Sequence, residues 1–485
     1  MWKALLAGGL LPLAFSPLNY YPLAFISLFV LLTQWLKANA KQAFAIGWLF
    51  GLGFFGVGVS WIFVSIHRYG NTNIPLAAFI TLIFIAFLAM FPAIQGFIIK
   101  HFYSKHSKSC LLLAFPASWV LLEYLRGWLF TGFPWLYLGY SQLNTSLSGF
   151  APIIGVYGIS FLVIFSVSLV MLIVKARGKT PALLLLISIW TAGHYLQNIS
   201  WTTKSAHSNT VSLVQGNLTP DDKFLLADPI KTITDVYLKP TQQHLTSKFI
   251  IWPENSVPLP LPFSTPFIAA VNKLAEQNNV ALLLGVPVAI PGKQDHYYNS
   301  LLALGTAHGI YHKKLLVPFG EYLPFDKWLR GLINFFDIPM SNFKNDHKPQ
   351  KPLTMPNSRL LPLICYEVAY PEQVRLALLA QHSDAIVTIS EDGWFGNSWG
   401  PHQHLDIARM RALENGRYVL RSTTSGISAI INEKGHVLKQ SPQFKPYVLS
   451  GEFVNFSGLT PWTKYGELPI IIFCGLLLVL TLILL

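Results

Sequence analysis

The segment RLLPLICYEVAYPEQVRLALLAQHSDAIVTIS, residues 359–390, contains two apolar runs separated by a helix-like stretch. The runs RLLPLICYE (359–367) and AIVTIS (385–390) are short and apolar, as buried strands are. Pro371 and Glu372 are typical of the first turn of a helix, which the intervening residues are expected to form. A strand, a helix and a second strand in this order indicate a layered α/β fold with covered sheets.

Strand-like and helix-like segments of the same kind occur throughout residues 205–460, which we expect to form one α/β domain. Five further strand-like runs lie in this range: VSLVQGN (211–217), KFIIWPE (248–254), ALLLGVPV (281–288), SLLALG (300–305) and YVLRST (418–423). Helix-like stretches at 266–279 and 402–417 lie between several of these runs. The sequence shows no GxGxxG or P-loop motif, so we expect no nucleotide cofactor.

The first 200 residues have a different composition. The chain is 52% hydrophobic and only 12% charged, and residues 1–200 contain a single carboxylate, Glu123. A membrane span needs about 20 apolar residues. Eight apolar runs approach this length: 4–18, 20–36, 42–66, 74–99, 110–130, 152–174, 181–198 and 468–485. We therefore predict a multi-span α-helical membrane bundle of about eight helices, formed by 1–200 and a C-terminal transmembrane helix at 468–485.

The first of these runs is short, and Pro12 and Pro17 interrupt it. It is compatible with a tilted or half-inserted helix. Lys3 before an apolar run also resembles the start of a signal peptide, but no small-residue cleavage site follows. We therefore retain this run as part of the predicted bundle.

The distribution of basic residues predicts how the chain crosses the membrane. The net charge is +13, and residues 1–200 hold 11 Lys and Arg against one acid. If the N-terminus is cytoplasmic, nine of these basic residues lie in inside segments and only Arg68 and Arg126 lie outside. This positive-inside pattern argues against nucleic-acid binding. It predicts a multi-pass protein of the bacterial inner membrane with residues 205–460 in the periplasm.

Glu123 and Arg126 share a helix face near the outer end of the fifth predicted span. Ionisable residues inside a membrane are costly. One interpretation is an ion pair that orients helices, and the other is contact with a lipid headgroup. The sequence leaves both open.

Three reactive side chains lie at or just beyond strand-like runs: Glu254 in IIWPE, Lys313 in YHKKLLVPFGE and Cys365 in LLPLICYE. Taken alone, a cysteine after a strand is usually a buried apolar residue. A cysteine between a strand and a helix start, with a lysine nearby, is expected to have a lowered thiol pKa. A glutamate could then act as general base and a lysine could stabilise an oxyanion, which fits acyl transfer through a thioester.

Two other cysteines lie in apolar runs, since Cys110 opens one and Cys474 lies within another. A disulfide framework and a cysteine-based metal site are therefore not expected. The histidines His402 and His404 could be interpreted as a metal pair. No third ligand cluster accompanies them, so a structural role is favoured and no metal is predicted.

The strings WPEN (252–255), HKKLLVPFGEYLP (312–324) and ICYE (364–367) resemble the nitrilase superfamily, which uses a Glu–Lys–Cys triad on an αββα sandwich. More narrowly, nearly the whole chain resembles the membrane-bound branch of that superfamily, the apolipoprotein N-acyltransferase family. In the apolar half the similarity includes GWLFGLGFFGVGVSWIFVSIHRYG (47–70) and FPASWVLLEYLRGWLFTGFPWLYLGYSQ (115–142). Soluble nitrilases lack this half.

This resemblance implies roles for individual residues. Glu254 would be the general base, Lys313 the oxyanion stabiliser and Cys365 the nucleophile. The remaining implied site residues would support the thiol or contact substrate: Glu321, Tyr366, Glu367, Phe224 and Trp394.

The resemblance also implies the two substrates. The acyl donor would be a phospholipid, typically phosphatidylethanolamine. The acceptor would be the α-amino group of the S-diacylglyceryl cysteine of an apolipoprotein. The oligomeric state is not determined by the sequence, and a monomer is favoured.

This sequence departs from the family pattern at three positions. Phe224 stands where the family usually has tryptophan, and Glu391 and Thr424 stand where it often has asparagine. The change at Phe224 keeps an aromatic ring. Glu391 adds a possible charge near the site, which affects local hydrogen bonding and substrate choice.

Two other functions remain compatible with these residues. A membrane-anchored amidase would use water in place of the amine, and a catalytically inactive scaffold would only bind lipoproteins. The apolar strings VPLPLPF (257–263) and WLRGLINFFDIPM (328–340) favour lipid substrates over small polar amides. Ordinary packing would also account for them. The intact Glu–Lys–Cys set argues against a scaffold.

Overall fold

In a computed structural model, the chain forms two compact units. One unit comprises Met1–Phe63, Ile74–Trp201 and Leu459–Leu485, and the other comprises Val64–Asn73 and Thr202–Gly458. The structure describes all residues except 71, 104–108, 176–178, 225–226, 294–295, 323–341, 347, 349, 351 and 485.

The first unit is helical. Its longer helices are Trp2–Leu10, Pro22–Lys37, Ala40–Gly58, Ile74–Leu88, Met90–Phe102, Phe115–Arg126, Ala151–Val174, Lys179–Leu196 and Leu468–Ile483. A short helix, Pro461–Tyr465, precedes the last of these. Each of the eight apolar runs predicted as spans therefore contains helix. In the first run the helix ends at Leu10 and a 3-10 turn, Leu11–Ala14, follows at Pro12, because proline lacks the N–H that a continuing helix needs.

Within the described ranges, three helices are long and apolar enough to cross a membrane: Ala40–Gly58, Ile74–Phe102 and Ser146–Val174. Shorter apolar helices cover Trp2–Ala14, Pro22–Lys37 and Leu468–Ile483. In the apolar run predicted at 42–66, the first helix ends at Gly58. Residues Val64–Asn73 belong to the second unit.

Glu123 and Arg126 both bind the backbone of the segment that follows their helix. Glu123 accepts a hydrogen bond from the Leu138 N–H at 2.8 Å, and Arg126 donates to the carbonyls of Phe133 and Trp135. Both side chains are buried. These contacts favour the structural interpretation of the pair, because the two charged groups satisfy backbone atoms that would otherwise be buried without partners.

The second unit contains two sheets. Its strands are β1 (Thr203–Gln215), β2 (Phe249–Ile251), β3 (Ala281–Ala289), β4 (Tyr297–Gly305), β5 (Gly309–His312), β6 (Leu360–Ile364), β7 (Ala385–Ser390), β8 (Val419–Thr423), β9 (Ala429–Ile431), β10 (Val437–Gln440) and β11 (Tyr447–Ser457). One sheet has the order β11-β1-β2-β3-β4-β5 and the other β10-β9-β8-β7-β6. The strands β1, β2 and β3 are parallel, as are β6, β7 and β8.

The two sheets share one apolar core. Leu213 and Ile251 from the first sheet lie in the same buried cluster as Ile364 and Val387 from the second. The opposite face of the first sheet packs against the helix Leu261–Gln277, whose Val271 is fully buried. The helices Pro371–Gln381 and Gly400–Asn415 pack against β6 and β8 of the second sheet. The predicted αββα layering is thus confirmed.

Shorter helices of the second unit cover Pro220–Phe224, Pro229–Ile233 and Lys239–Gln242. Residues 64–73 also belong here: Ser65 Oγ donates to the Trp394 carbonyl at 2.7 Å, and the Tyr69 and Trp394 rings lie 5.1 Å apart. The apolar string 257–263 begins with Val257 buried in the core and ends with Phe263 exposed. The second apolar string, 328–340, lies outside the described residues.

Candidate active site

The ends of three strands position the three residues of the predicted triad. Glu254 follows β2 by three residues, Lys313 directly follows β5, and Cys365 directly follows β6. Because β2 and β6 face each other across one core, their carboxyl ends can present side chains to a common site. Lys313 is also fixed by its backbone, since its N–H donates to the Asn299 carbonyl on β4 at 2.8 Å.

The turn at Cys365 is unusual in its backbone conformation. Cys365 has φ of 54°, in the left-handed region that residues other than glycine rarely adopt. It opens a 3-10 turn, Cys365–Ala369, and the helix Pro371–Gln381 follows. The side chain therefore leaves the strand abruptly and lies partly buried at its end. Such strain persists where the surrounding structure over-determines it, commonly at active sites.

Lys313 lies between two buried carboxylates. Its Nζ is 3.3 Å from Oε1 of Glu254 and 2.9 Å from Oε1 of Glu321. The amide Nδ2 of Asn299 donates to the same two oxygens, at 2.7 and 2.8 Å. All four side chains are buried. The two carboxylates are thus bridged twice, once by an ammonium and once by an amide, which fixes their separation.

The second carboxylate oxygen of Glu254 binds the backbone of Glu391, one of the three residues that depart from the family pattern. The backbone N–H of Glu391 donates to Glu254 Oε2 at 2.8 Å. The Glu391 carboxylate itself pairs with the ammonium of Lys223 and accepts from the Gly393 N–H at 3.3 Å. Burial raises the pKa of Glu391, and Lys223 and the Thr424 hydroxyl oppose this shift. Two of the three departures from the family pattern, Glu391 and Thr424, therefore act on each other.

Glu367 ties the loop of Lys313 to the strand that ends at Cys365. Its Oε1 accepts from the Tyr311 hydroxyl at 2.9 Å and from the Lys314 and Leu315 N–H groups at 2.7 and 3.3 Å. Its Oε2 accepts from the Ile364 N–H at 2.7 Å. The Glu367 carboxylate thus links the backbone of the segment after Lys313 to the backbone of the residue before Cys365.

The charge states of Lys313 and Cys365 follow from these neighbours. Burial alone would lower the pKa of Lys313, but the carboxylates of Glu254 and Glu321 raise it above its usual range, so the ammonium persists. Burial raises the pKa of the Cys365 thiol, and Glu254 raises it further, whereas Lys313 opposes them. The expectation of a lowered thiol pKa was therefore wrong. The thiol is therefore protonated near neutral pH.

A second polar network lies on the other side of Cys365. Nε2 of His404 is 3.3 Å from the Cys365 carbonyl oxygen. Nδ1 of His404 is 3.0 Å from Oδ1 of Asp392, and Nη2 of Arg421 is 2.5 Å from Oδ2 of Asp392. Burial opposes ionisation of Asp392, but the charge of Arg421 holds its pKa well below the usual range.

The remaining predicted residues lie at varied places. Tyr366 follows Cys365 in the 3-10 turn, and its ring packs against Tyr370. Trp394 is half-buried in a 3-10 turn beyond β7. Phe224 is the last residue of the helix Pro220–Phe224, and its side chain lies outside the described part of the chain.

The histidine pair His402 and His404 does not form part of a metal cluster in the described residues. Among these residues, no group of three or more His, Cys, Asp or Glu side chains could hold a metal ion. His404 instead contacts Asp392 and the Cys365 carbonyl.

Several residues of the site were not identified from the sequence. They are Lys223, Asn299, Asp392 and Arg421, and His404 was assigned only a structural role. Asn299, Asp392 and Arg421 lie in or beside apolar runs, which is the one signal that could have indicated them, whereas Lys223 lies in a polar segment. The contacts Lys223–Glu391, Asn299–Glu254, Arg421–Asp392 and His404–Cys365 join distant parts of the sequence, so spacing could not reveal them.

Known proteins resemble this chain over both of its parts. Residues 7–169 match the apolipoprotein N-acyltransferase N-terminal domain, and residues 197–460 match carbon-nitrogen hydrolase. The apolipoprotein N-acyltransferase of Coxiella burnetii is 42% identical over 482 residues, which cover 99% of each chain. That of Pseudomonas aeruginosa (strain UCBPP-PA14) is 39% identical over 484 residues, covering 98% of this chain and 94% of the relative.

The two family matches cover both the helical and the sheet-containing parts of the chain, and the relatives match it nearly end to end. The resemblance inferred from the motifs is confirmed. The chain therefore belongs to the apolipoprotein N-acyltransferase family.

Proposed function

We propose that this protein transfers an acyl chain from a phospholipid to the N-terminal amino group of the S-diacylglyceryl cysteine of apolipoproteins, through a thioester on Cys365. The observation that supports this most directly is the buried ammonium of Lys313 held between Glu254 and Glu321. The charges of Glu254 and Lys313 both act on the Cys365 thiol. A base, a cation and a nucleophile are thus available together for acyl chemistry.

In the first step Glu254 takes the proton of the Cys365 thiol as sulfur attacks the ester carbonyl of the phospholipid. The raised pKa of the thiol makes this base necessary, because little thiolate forms without it. Within the described part of the chain, Lys313 directs two of its three N–H donors to Glu254 and Glu321. Its third donor can stabilise the oxyanion. Collapse of the intermediate breaks the ester C–O bond, and Glu254 returns the proton to the departing lysophospholipid.

In the second step the α-amino group of the apolipoprotein attacks the thioester. Glu254 takes a proton from the amine, the C–S bond breaks, and Glu254 gives this proton to the departing sulfur of Cys365. A covalent intermediate lets donor and acceptor use one pocket in turn, so two lipid-bearing substrates need not be bound together. This two-step scheme predicts ping-pong kinetics.

We also propose that phosphatidylethanolamine is the acyl donor and that the protein is a monomer in the inner membrane. The nine-to-two bias of basic residues supports a periplasmic position for residues 205–460. Because both substrates are lipid-anchored, an apolar surface beside the site is expected. Phe263, 73% exposed at the end of the apolar string 257–263, is a candidate contact with lipid.

Intact-mass analysis tests the function. Incubation of the protein with phosphatidylethanolamine vesicles should add one acyl chain to Cys365, and a diacylglyceryl peptide with a free amino group should then remove it. Cys365→Ala should abolish the adduct, whereas Cys110→Ala and Cys474→Ala should retain it.

The same experiment separates the proposal from its alternatives. A membrane-anchored amidase would lose the acyl group to water as a free fatty acid at the same rate with or without the peptide. An inactive scaffold would form no adduct. Turnover by the Cys365→Ala protein would reject the mechanism.

A further inference from the structure

The left-handed backbone conformation of Cys365 must be stabilised by neighbouring groups. Residues held in such conformations cost on the order of 1–3 kcal/mol and persist only when neighbouring groups fix them. On the N-terminal side, Glu367 binds the N–H of Ile364 at 2.7 Å. On the C-terminal side, the carbonyl of Cys365 points to Nε2 of His404 at 3.3 Å. The backbone of Cys365 is therefore held on both sides of the strained residue.

The contact with His404 is a hydrogen bond in one tautomer of the imidazole. A carbonyl oxygen can only accept, so in that tautomer Nε2 carries the proton. Nδ1 then has a lone pair, and Nη2 of Arg421 lies 3.1 Å from it as a donor. Burial and the charge of Arg421 lower the pKa of His404, so the ring is neutral near neutral pH. Oδ1 of Asp392, also near Nδ1, can accept from the ring only when a second proton is present.

Asp392 holds the groups around the ring. Its Oδ2 accepts from Nη2 of Arg421 at 2.5 Å, and its Oδ1 accepts from Ser390 Oγ at 3.0 Å. Asp392 and His404 are each 1% exposed, and Arg421 is fully buried. Arg421 lies on β8 and Ser390 ends β7, so the network is anchored in the sheet. The imidazole has little freedom to turn away from Cys365.

We propose that His404 is a positioning residue for the nucleophile: its Nε2–H holds the carbonyl of Cys365 and thereby keeps the thiol directed toward Glu254 and Lys313, while Asp392 and Arg421 fix the ring. This inference rests on the proposed function only in taking Cys365 as the acylated residue. If the carbonyl is released, the peptide plane turns and the sulfur moves. A displacement of about 1 Å at a reacting atom can slow the reaction about 10²-fold.

Two substitutions separate this role from a purely structural one. Glutamine places an amide nitrogen where His404 has Nε2, and asparagine places one where it has Nδ1. His404→Gln can therefore still donate to the Cys365 carbonyl, whereas His404→Asn can only contact Asp392 and Arg421. His402→Gln, a half-buried histidine on the same helix, is the matched control.

Acylation by p-nitrophenyl butyrate measures thiol positioning without any phospholipid. The first-turnover release of p-nitrophenol should fall about 10²-fold in His404→Ala and His404→Asn, with the apparent KM within about twofold. His404→Gln should recover most of the rate, and His402→Gln should match the parent. Phospholipid turnover that fails while this burst persists would reject the proposed donor and leave the positioning role intact.

Infrared spectroscopy observes the carbonyl itself, independently of activity. In a Cys110→Ala/Cys474→Ala background, Cys365 is the remaining cysteine. Labelling with 1-¹³C-cysteine therefore marks one carbonyl, whose amide I band should move to higher wavenumber in His404→Ala and His404→Asn but not in His404→Gln. An unchanged band in His404→Ala overturns the proposal. So does a pattern in which asparagine, and not glutamine, restores the parent band and the burst.

Discussion

The backbone N–H of Glu391 donates a 2.8 Å hydrogen bond to Oε2 of Glu254. The proposed general base is thus held by a residue whose own carboxylate is buried and paired with Lys223. The Lys223 and Glu391 side chains are only 8% and 4% exposed. Removing one partner of such a pair leaves an uncompensated charge, whereas removing both does not.

Lys223→Met should therefore be more harmful than the double change Lys223→Met/Glu391→Gln. The single substitution leaves the Glu391 carboxylate unpaired beside Glu254 and should lower the free energy of unfolding by about 3–5 kcal/mol. The double variant carries no charge at either position and should recover most of the stability and of the acylation rate. Thermal unfolding in detergent and acyl-enzyme formation measure both. A double variant as impaired as the single one would contradict this electrostatic account.

Asn299→Asp should strongly reduce acylation. The Asn299 amide donates to both Glu254 and Glu321, and an aspartate would replace a donor by a third carboxylate. Hydrogen bonds to charged groups contribute about 1.5–3 kcal/mol each, so losing two predicts a fall of about 10²-fold or more. Asn278→Asp, an exposed asparagine, is the control. Single-turnover acylation that matches the parent in Asn299→Asp would show that the bridge is dispensable.

The alkylation of Cys365 should respond in opposite directions to its two charged neighbours. Glu254 raises the pKa of the thiol and Lys313 lowers it. Glu254→Gln should therefore increase the thiolate fraction at neutral pH and speed the reaction with iodoacetamide, although acyl transfer is lost. Lys313→Met should slow alkylation and move its rise to higher pH. Rate–pH profiles in a Cys110→Ala/Cys474→Ala background provide the measurement, and shifts of the same sign would refute the assigned charges.

Glu367→Gln should destabilise the second unit more than Tyr311→Phe does. Glu367 accepts from four donors, and a glutamine amide group can accept at one oxygen only. Each buried donor left without a partner costs about 1–3 kcal/mol. Tyr311→Phe removes one donor and leaves the carboxylate its other partners. Denaturant unfolding should rank the variants in this order, and equal stability for both would argue against Glu367 as the link between the two loops.

Ser208→Cys should react with a membrane-impermeant thiol reagent in intact spheroplasts, in a background where all three native cysteines are replaced by alanine. Ser208 is exposed on β1, and the predicted orientation places it in the periplasm. Lys179 is exposed in the helical unit and is one of the nine basic residues predicted to lie in inside segments, so Lys179→Cys should react only after permeabilisation. The reverse labelling pattern would invert the proposed topology.

The amino-acid sequence predicted the architecture well where local patterns are strong. All seven apolar runs predicted as strands contain strands, because strands that are buried in the core are continuous apolar segments. The strands β5, β9, β10 and β11 were not predicted. β10 is mostly exposed, and β11 mixes exposed, half-buried and buried residues without regular alternation, so their signal resembles that of polar loops. The apolar runs of the first 200 residues were sufficient to predict helices.

The motifs of the sequence also indicated the three residues that we propose as base, oxyanion stabiliser and nucleophile. Glu254 and Cys365 follow strands that the sequence predicted, whereas Lys313 follows β5, which it did not. Their charge states and hydrogen-bond partners depend on the tertiary fold. The pKa of the Cys365 thiol is raised because the fold buries it beside Glu254, and the local pattern predicted the opposite. The contacts of Asn299 with Glu254, and of His404 with the Cys365 carbonyl, join residues 45 and 39 positions apart. Desolvation and long-range hydrogen bonds depend on where the folded chain brings groups together, which no short sequence motif specifies.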